Sequence, residues 1–149
     1  MIVDLKDYPQ HIKLIANWIF NYWGKYYPNC SKEDVLQELQ RQTILPKTLI
    51  AIQGDLPIGT VSLYEEDGLN TSLTPWLGSL FVLPDYRHQG IGKHLIESAI
   101  LEAKSMDYPN LYIITLEHSL TAWYAQMGWH FLKKDDLNGY PVDVMRLIL

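Results

Sequence analysis

Apolar and polar positions alternate along this chain in two rhythms, one of three to four residues and one of two, and the switches between them mark out its elements. Between residues 9 and 23, Ile12, Ile15, Ala16, Ile19 and Phe20 fall on one helical face, with Pro9 in the first turn and Gly24 as a stop. Ser31 and Asp34 resemble a capping box one residue out of step, and Val35, Leu36 and Leu39 carry a second helix to about Arg41. A short strand over residues 1–5 is expected ahead of both. Residues 48–53 and 58–64 then read as the two strands of a hairpin turning at Gly54-Asp55. Residues 65–74, with Glu65, Glu66 and Asp67, read as a solvated loop over the sheet edge.

The mostly apolar run 76–83, bounded by Pro75 and Pro84, is the pattern of a buried strand. Leu95, Ile96, Ala99, Ile100 and Ala103 follow at helical spacing, and residues 111–116 form the next strand. A helix crossing between two strands makes them parallel neighbours joined by a right-handed connection. A short helix over 119–127 ends at Gly128, and closing strands at 129–132 and 142–149 flank a turn at 137–140. The expected fold is α/β, one domain over residues 1–149 with a mixed sheet and helices packed against it.

Composition narrows the partners. The net charge of −5 argues against a general nucleic-acid binder, because phosphate backbones demand a basic face, and it favours cationic substrates. No apolar run approaches the roughly 18 residues a membrane span needs, and Asp4, Lys6 and Asp7 interrupt the stretch where a signal peptide would be apolar. A cytoplasmic protein without a membrane partner is expected. Cys30 is the single cysteine, so no internal disulfide forms, and its polar flanks suggest an incidental thiol. The histidines lack the paired spacing of a metal site, so no metal is expected. The aromatic-rich ends offer a surface for a homodimer.

The chemistry concentrates between the central strand and its helix, in Pro84-Asp85-Tyr86-Arg87-His88-Gln89-Gly90-Ile91-Gly92-Lys93. A helix start leaves amide N–H groups without carbonyl partners and carries partial positive charge, so it holds anions. Gly90 and Gly92 clear side chains from those amides, and Arg87, His88 and Lys93 add donors. The phosphate-gripping P-loop is excluded, since Arg87 stands where its first glycine belongs and His94 where its Ser or Thr belongs. The dinucleotide fingerprint is excluded by Leu95 in place of a third glycine.

Arg87-x-x-Gly90-x-Gly92 behind Leu80-Phe81-Val82-Leu83-Pro84, followed by Trp123-Tyr124-Ala125-Gln126-Met127-Gly128-Trp129, resembles the GNAT superfamily of acetyl-CoA-dependent N-acetyltransferases over essentially the whole chain. The resemblance implies a central sheet whose two parallel strands splay apart, with acetyl-CoA as cosubstrate in the gap. It assigns the backbone of His88, Gln89, Gly90, Ile91, Gly92 and Lys93, with Arg87 beside them, to the coenzyme A pyrophosphate. It assigns the backbone of Leu80, Phe81 and Val82 to the pantetheine arm, which pairs like an added strand, with Val82 facing the thioester carbonyl. Tyr124 is implied beside the coenzyme sulfur, where a phenol can donate to the departing thiolate.

A protonated amine must lose a proton before it attacks a thioester. Glu117 is the expected base or amine-binding carboxylate, standing where many family members carry asparagine; His118 competes with it, and Glu66 or Asp67 could approach from the hairpin side. Trp23 and Trp76 are aromatics that could wall an acceptor pocket or fill the core. The expected activity is direct acetyl transfer to a primary amine of a small molecule or peptide; the alternative is an acyl-CoA-binding module without catalysis.

Overall fold

A computed structural model describes residues 1–149. The strands are β1 (Ile2–Asp4), β2 (Lys47–Gln53), β3 (Leu56–Tyr64), β4 (Trp76–Val82), β5 (Asn110–Thr115), β6 (His130–Leu137) and β7 (Tyr140–Ile148). The helices are α1 (Ile12–Trp23), α2 (Lys32–Gln40), α3 (Ile91–Ser105) and α4 (His118–Gln126). The strands form one seven-stranded sheet in the order β1-β2-β3-β4-β5-β7-β6. Only β4 and β5 are parallel, because α3 carries the chain back across the sheet between them. No helix is long and apolar enough to cross a membrane.

The two-residue rhythm of β2 assigns the helices to faces. Leu49 and Ala51 pack with Leu95, Ile96 and Ala99 of α3, whereas Ile50 and Ile52 pack with Ile15 and Ile19 of α1 and Leu39 of α2. Each fully buried aliphatic side chain stabilises the fold by roughly 1.5–3 kcal/mol relative to exposure, so the sheet is clamped from both sides.

Three local expectations shift. The capping box at α2 is in register: Ser31 Oγ accepts from the Asp34 N–H at 3.1 Å while Asp34 Oδ2 accepts from the Ser31 N–H at 2.8 Å. These bonds, the backbone one foremost, hold the Asp34 carboxyl below its ordinary range. The helix closes at Gln40, one residue early, because Arg41 is already extended at φ −58°, ψ 140°. The strand expected over 129–132 runs on to Leu137, with exposed Lys133, Lys134 and Asp136 along it. Their polarity conceals the strand in the sequence and suits an edge with no further partner.

The central feature is a slip between β3 and β4. Thr60 faces Phe81 but Ser62 faces Gly78, so Ser79 and Leu80 together oppose Val61. Ser79 takes φ +54°, and its hydroxyl lies 2.6 Å from the Tyr64 hydroxyl. A bulge of this kind bends and twists the strand that carries it. Accordingly β4 pairs with β5 at Trp76–Tyr112 and Leu77–Ile113 only, and beyond Leu77 the two strands have separated.

Candidate active site

The separation opens a cavity of about 730 Å³ between the two strand ends, walled on β4 by Leu77, Gly78, Ser79 and Leu80 and on β5 by Ile113 and Ile114. Phe81 and Val82 lie past this wall. Phe81 turns to α1, with ring centroids 5.4 Å from Trp18 and 5.6 Å from Tyr22, and both residues remain paired to β3. From Gly78 onward the other edge of β4 has no strand beside it, which leaves backbone groups for an extended ligand.

At the far end of β4 the chain turns through Pro84–Tyr86 into α3. The Arg87 guanidinium folds back, its Nε donating to the Val82 carbonyl at 2.8 Å and its Cζ 5.5 Å from the centroid of the Phe81 ring. One of its donors is therefore spent on fixing the end of β4. His88 takes φ +63°, and Gly90 caps the helix at φ +84° with open space where a side chain would project. Glycine suits that position because a left-handed backbone strains L-residues by roughly 1–2 kcal/mol. The first helical bond is made by the His94 N–H to the Gly90 carbonyl at 3.0 Å, so the Ile91, Gly92 and Lys93 amides have no partner inside the helix. Arg87, His88, Gln89, Gly90 and Lys93 are exposed, leaving this end open to an anion.

On the opposite wall Tyr124 lines the cavity, only 4% exposed, with Trp123 and Trp129 edge-on to its ring at 5.0 and 5.6 Å. Its helix is pinned to the sheet by a relay. The Thr121 hydroxyl donates to Asp143 Oδ2 at 2.8 Å and so accepts from the Thr115 hydroxyl at 2.6 Å. Burial alone pushes the Tyr124 phenol up, so it keeps its proton well above neutral pH.

The structure distributes the base candidates unevenly. Glu117 lines the cavity but is exposed at the N-cap of α4, where its side chain makes no capping bond. His118 is outside the lining, and its charge acts on Asp143 instead. Glu66 reaches the rim as an exposed side chain. Asp67, expected on a solvated loop, is instead drawn in: the Tyr27 hydroxyl donates to its Oδ1 at 3.1 Å and to its carbonyl at 3.2 Å. Enclosure, opposed by the Tyr27 hydrogen bond and reinforced by the nearby Glu38 charge, pushes its carboxyl from 3.8 up to about 7. Burial likewise raises Glu38, which lies on the same wall.

Of the two tryptophans, Trp23 lines the cavity, while Trp76 is buried away from it, its indole N–H donating to the Leu73 carbonyl at 2.8 Å. Cys30, expected to be an incidental thiol, reaches the lining; burial first, then the Asp34 and Glu38 charges, push its thiol up and suppress the thiolate. Nothing in the sequence singled out Tyr27, Glu38 or the Ser79 bulge, since each becomes part of the site only through a tertiary contact. No group of three or more His, Cys, Asp or Glu side chains is placed to hold a metal ion.

Comparison with solved structures finds the same fold. An aminoglycoside 6'-acetyltransferase type Ii superposes with a TM-score of 0.76 at 19% identity, over 99% of this chain and 96% of that one. A ribosomal-protein-alanine N-acetyltransferase from Brucella melitensis gives 0.75 at 17% identity, over 100% and 99%. A GNAT family acetyltransferase from Elizabethkingia anophelis with acetyl-CoA bound gives 0.61 at 23% identity, over 80% and 84%. No curated protein matches in sequence. The sequence profile of the acetyltransferase (GNAT) family, however, matches residues 12–129, most of the chain, and the protein therefore belongs to the GNAT acetyltransferase family.

Proposed function

We propose that residues 1–149 form one N-acetyltransferase domain that moves the acetyl group of acetyl-CoA directly onto a primary amine of a small molecule or peptide. The observation that carries this is the end of β4–β5 pairing after Leu77–Ile113, which leaves a strand edge for an extended thioester arm leading to a helix start with free amides. The backbone from His88 to Lys93 takes the pyrophosphate, and the free edge at Leu80, Phe81 and Val82 takes the pantetheine arm.

The amine nitrogen bonds to the thioester carbon, giving a tetrahedral adduct whose oxyanion a strand N–H stabilises. The C–S bond then breaks. Tyr124, protonated because its phenol is enclosed, donates a hydrogen bond to the sulfur as charge develops there, and a proton shed by the adduct's nitrogen finally rests on the sulfur. Direct transfer is favoured over an acyl-cysteine because the Cys30 thiol is held protonated. Glu117, exposed at the mouth, is suited to attracting a cationic acceptor.

Calorimetric titration with acetyl-CoA tests the assignment. Wild type should bind at micromolar Kd, about −8 kcal/mol, and Gly90→Ala, still folded because its new methyl meets open space, should bind at least about tenfold more weakly. Equal binding by the two proteins, or none by wild type, refutes the coenzyme site.

A further inference from the structure

We infer that Asp67 is the group that receives the acceptor's ammonium and takes its proton, with Tyr27 as its positioning residue; the inference rests on the N-acetyltransferase function proposed above. The geometry separates the two carboxylate oxygens. Oδ1 is tied to the Tyr27 hydroxyl at 3.1 Å, whereas Oδ2 has no protein partner and is not sealed from solvent. Oδ2 lies 3.3 Å from where a β-carbon on residue 78 would sit. Residue 78 is glycine and is the first β4 residue beyond the last β4–β5 pair, so the carboxylate leans over the strand where the gap begins. A side chain there would meet Oδ2 and the Tyr64 ring, at 3.3 and 3.2 Å, and would push the carboxylate away.

The charges around Asp67 leave a cation missing. Glu38 on α2 opposes its negative charge, the Tyr27 hydroxyl from the segment after α1 supports it by one hydrogen bond, and the Tyr64 phenol on β3, held protonated by burial, adds no positive charge. Among the cavity-lining residues Glu38, Glu66, Asp67 and Glu117 are acidic and Lys25 alone is basic. The ion pairs of the fold join Lys47 to Asp4 and Glu102, Lys133 to Asp135, and Lys134 to Asp143; none involves Asp67. A ligand ammonium supplies the absent partner. The aromatic wall of Tyr22, Trp23 and Tyr26 gives its carbon frame a surface to lie on.

The step balances. An N–H bond of the ammonium breaks as an O–H bond forms at Oδ2, and the freed lone pair bonds to the thioester carbon. A second nitrogen proton passes to the sulfur when the C–S bond breaks, and the proton on Oδ2 leaves through the open mouth. One proton is released per acetyl group transferred. A carboxyl pushed up to about 7 accepts and returns a proton near neutral pH, where a general base works best.

The test compares wild type, Asp67→Asn and Tyr27→Phe in acetyl-CoA titrations and in pH profiles of kcat/KM with tyramine, spermidine and a lysine-containing tripeptide. Asp67→Asn should bind acetyl-CoA like wild type, lose about 100-fold or more in kcat/KM near pH 7.5, and lack the acidic limb that wild type shows near pH 7. Tyr27→Phe removes a hydrogen bond that favours the ionised carboxylate, so the limb should move to higher pH with a smaller loss of rate. A loss below about threefold in Asp67→Asn with the limb intact overturns the role of Asp67 alone. Acetyl-CoA binding by wild type with none of the three amines acetylated also overturns it. Failure of wild type to bind acetyl-CoA overturns the underlying acetyltransferase function instead.

Discussion

Asp67→Asn should cost activity yet raise stability, and the gain should depend on pH. In the folded protein the Asp67 carboxyl is pushed up to about 7 from an ordinary 3.8, so across that window the folded state binds more protons than the unfolded one. Stability therefore falls as pH rises through the window, by about 1.4 kcal/mol per pH unit where the difference is one proton. Evaluating the linkage at both ends, wild type should lose about 2–3 kcal/mol relative to Asp67→Asn between pH 5 and pH 8. The amide is isosteric, can still accept from the Tyr27 hydroxyl, and carries no charge to enclose. Glu38, also raised by burial, titrates in both proteins and largely cancels from the difference. Urea unfolding followed by the fluorescence of the five tryptophans, at pH 5 and pH 8, measures the quantity directly. For a chain of this size each kcal/mol is about 2–4 °C in Tm, so the change should also be visible in a thermal scan. A stability difference between the two proteins that changes by less than about 0.5 kcal/mol from pH 5 to pH 8 would show that folding does not raise the Asp67 carboxyl.

Two further substitutions probe the walls of the gap. Tyr124→Phe should bind acetyl-CoA normally and change stability by less than about 0.5 kcal/mol, since no hydrogen bond to another side chain tunes its phenol, while turnover falls about 10–100-fold, read by thiol release. Leu77→Ala empties a fully buried position at the last β4–β5 pair and should cost about 2–5 kcal/mol in urea unfolding, whereas Leu101→Ala, at an exposed site, should stay within about 0.5 kcal/mol.

What the sequence disclosed and what it concealed divide along physical lines. The helix faces, the hairpin and the parallel crossover were legible because each rests on local periodicity: Ile15 and Ile19 repeat at four residues, and Leu49 to Ile52 alternate at two. The loop from Arg87 to Lys93 was legible because a left-handed helix cap and bare amides need glycine at Gly90. The edge strand β6 was read short because its charged residues carry no apolar alternation. Asp67 was weighed as an approach from the hairpin side, yet its neighbours Glu65 and Glu66 make the stretch look solvated. What distinguishes it is a hydroxyl forty positions away, on a residue without any pattern of its own.

The bulge at Ser79 is where the sheet begins to open. A β4 that matched β3 residue for residue would be a regular strand, with no local cause to part from β5 after two pairs. Placing Ser79 and Leu80 against Val61 alone bends β4 and holds Ser79 at φ +54°, a backbone region disfavoured for any residue with a side chain. The Tyr64–Ser79 contact at 2.6 Å offsets part of that strain from a buried tyrosine on β3. The same Tyr64 ring, with the Asp67 carboxylate, occupies the space that the missing side chain of Gly78 leaves free. One irregularity thus separates β4 from β5 next to Gly78, the strand position over which the Asp67 carboxylate leans. The site is therefore sensitive to the register of β3 against β4, because that register determines where the sheet comes apart.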